Sequence, residues 1–66
     1  MEMIRVHDLY EETILATYSS TVCPQVGSRM IINGDSYRVA TVDHYIEKVD
    51  ASSTHMLIEV GVMANI

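Results

Sequence analysis

Phenylalanine and tryptophan are absent from this chain, and cysteine and proline occur once each. Without Phe or Trp, a core must be built from Val, Ile, Leu, Met and four tyrosines. With Cys23 alone, no intrachain disulfide can form, and a dimer bridged through it does not suit a reducing compartment. Only four basic residues are present, Arg5, Arg29, Arg38 and Lys48, and they are scattered against nine Asp and Glu, for a formal net charge of −5. Nucleic-acid binding needs a basic face that displaces counterions from phosphates, so direct DNA or RNA binding is not expected. The acids are not clustered either, and their excess is read as solubility rather than mimicry of a nucleic acid. The apolar runs are far shorter than a membrane span, and no charged segment precedes a long apolar one as in a secretory signal. A cytoplasmic setting is expected, one that keeps Cys23 and the five methionines reduced.

What is present is a small amount of everything a marginal domain needs. The chain has 66 residues, enough for one domain. For its mass, surface scaling gives roughly 10,700 Å² exposed unfolded and about 4,200 Å² folded, so about 60% is buried. Scaffolds of this size usually gain stability from disulfides, a metal or oligomerisation. The first is excluded by composition, which makes a homo-oligomer the expected state.

The strongest local signal is "MIINGDSYRV", Met30 to Val39. Asn33-Gly34 suits a type I′ turn, which needs φ > 0 at both central positions. That turn pairs Ile32 with Asp35 and Met30 with Tyr37. The return strand runs from Ser36 to roughly Ile46, but its period is imperfect, because Val42 falls on the opposite face from Tyr37 and Val39. A bulge near Ala40-Thr41 brings Val42 back inward and bends the strand. Upstream, Pro24 and Gly27 mark a connection, because Pro has no ladder donor and Gly supplies positive φ. "EKVDASST" reads as a polar loop. His55 to Met63 alternates as a last strand, with Met56, Ile58, Val60 and Val62 on one face and Leu57, Glu59 and Gly61 on the other. Gly61 leaves room there for another backbone to approach.

The first third of the chain is ambiguous. Met3 to Val6 forms a first strand. Asp8-Leu9-Tyr10-Glu11 fits a capping box, which starts a helix, whereas Thr13 to Val22 is rich in β-branched and hydroxyl residues, which favour strands. Two strands around a turn at Leu9 to Glu12 are expected, with a short helical turn near residues 8–14 as the alternative. The fold class expected is therefore all-β: one domain, residues 1–66, with five strands in a small, partly open barrel.

The residues "PQVGSRMIINGDSYRVATVDHYIEKVDASSTHMLIEVGV" resemble the small SH3-like β-barrel proteins common in bacteria and phages. The likeness runs from Pro24 to Val62 and consists of turn order: proline, glycine, strand, glycine turn, aromatic-x-valine, closing strand. It implies a binding protein, and in phages an anti-defence role, with a sponge that sequesters a signalling cyclic nucleotide as one form.

No catalytic constellation is evident. His44 alternates in facing with Asp43 and Tyr45, Cys23 has no neighbouring base, and the serines lack a nucleophile elbow. Zinc spacing, a calcium loop, a P-loop and a Rossmann glycine pattern are all missing. The chain is thus read as non-enzymatic, with no metal and no cofactor. Candidate binding residues are Tyr10 and Tyr45, as exposed aromatics able to stack or anchor a partner. Arg29, Arg38 and His44 join them as groups able to hold an anionic small molecule such as a nucleotide, with oligomer copies contributing together. Tyr37 and Tyr18 are assigned to the core. The first expectation is a self-associating barrel that acts on a protein partner, and the second is the nucleotide sponge.

Overall fold

The computed structural model describes residues 2–64. Five strands form one sheet: β1 (Glu2–Asp8), β2 (Thr13–Ser20), β3 (Arg29–Ile32), β4 (Asp35–Lys48) and β5 (Thr54–Ala64). Their order is β2-β1-β5-β4-β3, curled into a half-barrel. β1 and β5 run parallel, and the other neighbouring pairs are antiparallel. The fold is therefore all-β with five strands, as the sequence predicts.

The short helical turn near residues 8–14 does not propagate. The Asp8 carbonyl accepts from Glu12 N at 2.8 Å, closing one α-turn. Asp8 Oδ1 accepts from Tyr10 N at 2.8 Å and from Glu11 N at 3.2 Å, as an N-cap would. Glu12 then adopts φ 59 and ends the turn, and the β-branched run enters β2 at Thr13. The capping chemistry is real, but it shapes a hairpin corner.

Other local signals act as their chemistry dictates. Asn33 and Gly34 have φ 52 and 87, and they align Ile32 with Asp35 and Met30 with Tyr37. Gly27 has φ 91 within the connection that holds Pro24. In β4 the register shifts between Val39 and Thr41, leaving Ala40 as the extra residue, so Val39 and Val42 both face inward. β5 takes in one more residue at each end than expected. β4 extends to Lys48, which shortens the polar loop to residues 49–53.

The inner face carries the core. Ile4, Val6, Val39, Ile58, Val60 and Val62 are almost wholly excluded from water, and Tyr18, Tyr37, Met30, Ile32, Val42, Leu15 and Cys23 pack around them. The β2–β3 connection must run from one edge of the sheet to the other, about 19 Å if flat. Cys23 packs against the core on the way, so this connection passes over the inner face. The solvent-accessible surface is 4832 Å² and the molecule measures 46 × 21 × 19 Å. That surface exceeds the scaling expectation by roughly 600 Å². The elongation comes from the far half of the β4–β5 hairpin. Residues 46–48 pair with 54–56 beyond the reach of β1, which meets β5 only from Leu57 onward, and of β3, which ends opposite Asp35 to Arg38.

Candidate functional site

Alternation along the three central strands places a second set of side chains on the outer face. Ile4-Arg5-Val6 in β1 and Ile58-Glu59-Val60 in β5 bury their aliphatic residues inward, so Arg5 and Glu59 must point outward. Parallel pairing sets Arg5 directly opposite Glu59, and antiparallel pairing sets Asp43 opposite Glu59 on its other side. Arg5 Nη2 donates to Glu59 Oε1, and His7 Nε2 lies against Glu59 Oε2 without hydrogen-bond alignment. The Glu59 side chain is only 9% exposed. The hydrogen bond to Glu59 raises the Arg5 pKa from its ordinary value, against a smaller opposing effect of burial, with further help from the charge of Glu59 and from Tyr45. Arg5 Nε is buried without an acceptor among the described residues.

These groups line a groove of about 560 Å³, with Leu9, Leu57 and Tyr45 at its apolar margins and Thr41 beside Gly61. Leu9 extends the β1–β5 ladder through its N–H to the Val62 carbonyl at 2.9 Å. Its side chain sits over Gly61, where a Cβ would collide with Leu9 and with Thr41 Oγ1. The space at Gly61 thus admits side chains of two neighbouring elements rather than a backbone.

The residues singled out from sequence do not gather in this groove, Tyr45 excepted. Arg38 and Arg29 face each other across β3 and β4 on the outer face, and both are exposed. Arg38 Nη1 makes only a long contact, 3.5 Å, with the Gly27 carbonyl. From Arg38 to Tyr45 the chain travels about 20 Å along β4, so these arginines and Tyr45 do not share a pocket within one chain. The Ala40 bulge puts His44 on the inner side with Val42, opposite Ile58, and away from Tyr45 and Arg38. Tyr10 is 88% exposed at the β1–β2 corner, near Met63 and Ala64. Arg5, His7 and Glu59 were missed. The available signal was the matched pair of triplets, Ile-Arg-Val and Ile-Glu-Val, with opposite charges between buried aliphatics.

The groove's chemistry is that of a neutralised acid. Glu59 is held by a guanidinium and an imidazole, and Asp43 adds a second carboxylate. Leu9 stands over the glycine between His7 and Thr41 in the register row, and so sets the hydroxyl apart from the imidazole. Among the described residues no three His, Cys, Asp or Glu side chains converge as metal ligands. Among the described residues no helix is long and apolar enough to cross a membrane.

A second surface lies on the protruding half of the β4–β5 hairpin. Tyr45, Ile46 and Val49 are 57%, 67% and 54% exposed, and Tyr45, Ile46 and Met56 line a shallow depression with His55 and Leu57. No protein-family model, curated protein or solved structure matches the chain.

Proposed function

We propose that this chain is a non-enzymatic interaction protein that binds protein surfaces, copies of itself included, through the far half of the β4–β5 hairpin. The observation that carries this reading is the exposed apolar surface of the far ribbon, with Ile46 and Met56 on its inner face, Tyr45 on its outer face and Val49 at its end, where no other described strand pairs with it. Isolated two-stranded ribbons are marginal in water, and exposed apolar clusters mark interaction sites. Tyrosine and methionine suit such surfaces, one as a rigid amphipathic anchor and the other as an adaptable filler. Electrostatics favours a protein over an anionic small molecule. The open groove holds two carboxylates against one guanidinium and an imidazole, while Arg29 and Arg38 stand apart near the other edge of the sheet. Cys23 is a free thiol, which suits action in a reducing cytoplasm.

The test is a photo-crosslinking residue placed in cells at Ile46 or, as a control, at Glu12 on the opposite corner. Adducts at 46 and none at 12 support the reading. Absence of adducts at 46, together with a thermal shift that grows with a cyclic nucleotide, would overturn it in favour of ligand sequestration.

A further inference from the structure

Past Ala40, β4 has a strand on one side only. β5 accompanies it to Lys48, but β3 ends opposite Arg38, and the β2–β3 connection adds only the bonds of Gly27 and Ser28 to Val39. The direction of the free backbone groups follows from three hydrogen bonds. Val39 exchanges its N–H and carbonyl with that connection, and the Val62 carbonyl accepts from Leu9 N, so Val39 and Val62 both turn away from each other. Gly61 and Thr41 therefore turn toward each other, and alternation leaves Val42, His44, Ile46 and Lys48 with N–H and carbonyl directed outward from the sheet edge. Natural edges are blunted by proline, bulges, short length or charged side chains, lysine above all. The segment Thr41 to Lys48 has no proline and no bulge within it; its two acids, Asp43 and Glu47, lie on the outer face, and its one lysine stands at its end.

We infer that two copies of this chain join edge to edge through β4, antiparallel about a two-fold axis at His44. The inference rests on the reading that the β4–β5 arm binds protein surfaces, and it names the occupant. A two-fold axis through the sheet keeps inner side chains with inner ones, which allows few registers. Centring on Tyr45 would set Asp43 opposite the partner's Glu47, and centring on Asp43 would set that carboxylate opposite its own copy. Like charges directly opposite are destabilising. Centring on Ile46 would set Val42 opposite the partner's Asp50. Centring on His44 avoids all three. Val42, which packs on the core, then lies opposite the partner's Ile46, and this isoleucine, 67% exposed in the single chain, continues the core of the other copy. On the outer face Asp43 meets the partner's Tyr45, whose phenol can donate to it at the margin of the groove. Each copy exposes roughly 600 Å² more than the scaling expectation, surface that a second copy can cover.

The test uses the full chain with Cys23→Ser and one new cysteine at a time, His44→Cys, Tyr45→Cys, Ile46→Cys or Glu47→Cys, under mild oxidation. In the inferred register the two copies of position 44 are directly opposite with Cα atoms about 5.5 Å apart, within disulfide range. Copies of position 47 are about 20 Å apart. A covalent dimer from His44→Cys and none from Glu47→Cys supports the inference. Strongest coupling at 45 or 46 overturns it, as does a monomer by light scattering with no coupling at any position. A cysteine-free check is Ile46→Lys, which removes both symmetric contacts. It should leave the β-sheet circular dichroism unchanged and raise the dimer dissociation constant at least about tenfold. If no dimer forms yet photo-crosslinking at 46 captures another protein, the edge pairing fails and the interaction reading stands. If both are negative, both fail.

Discussion

At Gly61 the outer face has no room for a side chain, because a methyl group there would collide with Thr41 Oγ1 and Leu9 Cδ2. Both obstacles are side chains, so the backbone need not break, but two rotamers must shift together. Gly61→Ala should cost about 1–3 kcal/mol, the usual range for overpacking. Combining it with Leu9→Ala or Thr41→Ala should recover part of that loss in a double-mutant cycle, whereas strict additivity of the urea midpoints would show that neither neighbour is responsible. Tyr18 gives a pH prediction on the inner face. Burial first, and Cys23 second, raise its phenol above the ordinary value of 10.0. The neutral phenol is the form the fold favours. Its contribution is therefore complete below pH 10.0, the unfolded value, and is lost as pH rises through the higher folded value. Urea unfolding between about pH 9 and 11.5 should show an alkaline loss that Tyr18→Phe reduces. An unchanged slope in that variant would place the loss elsewhere. Residue-level legibility was uneven for one reason. Asn33, Gly34, Pro24 and Gly27 act on their own backbone, so their roles are visible locally. Arg5 and Glu59 meet only because strands 54 positions apart run side by side, and no local pattern states that register.

Among the elements, β4 carries the most consequence. Its bulge was visible in sequence because Val39 and Val42 cannot both face a core in an unbroken strand. The second irregularity, in β2 opposite Val6 and His7, was not visible, because Thr13 to Val22 has no sharp apolar alternation to violate. Deleting Ala40 should be tolerated, because the remaining sequence alternates regularly, with Val39 inward, Thr41 outward and Val42 inward. The cost is the bend that the bulge adds. Inserting one serine between Asp43 and His44 should be worse, because it sends every following residue of β4 to the wrong face. Chemical denaturation with amide exchange distinguishes the two. The deletion keeps protection at Val60 and Val62, and the insertion loses it from the arm inward. If the deletion abolishes folding while the insertion does not, the bulge has some role other than restoring the register.

For the whole molecule, the central question is how six aliphatic side chains sustain a domain 46 Å long. A monomer of this size buries about 60% of its unfolded surface by scaling, and the 4832 Å² left exposed falls short of even that. The sequence already pointed to association, through its lack of disulfides and large aromatics, but could not say which surface would serve. In the inferred dimer that surface is the open edge of β4 and the bare ribbon. Coupling of folding to association predicts a concentration dependence that no monomer shows. For a dimer that unfolds to two chains, each tenfold rise in protein concentration adds about 1.4 kcal/mol per dimer to the apparent stability. The thermal midpoint should therefore climb steadily across a dilution series followed by circular dichroism. Ile46→Lys should flatten that series and lower the midpoint at every concentration, because each copy loses the apolar neighbour that extends its core. A midpoint independent of concentration in the unaltered protein would mean that the single chain holds itself together, and that the exposed ribbon is kept for a different protein.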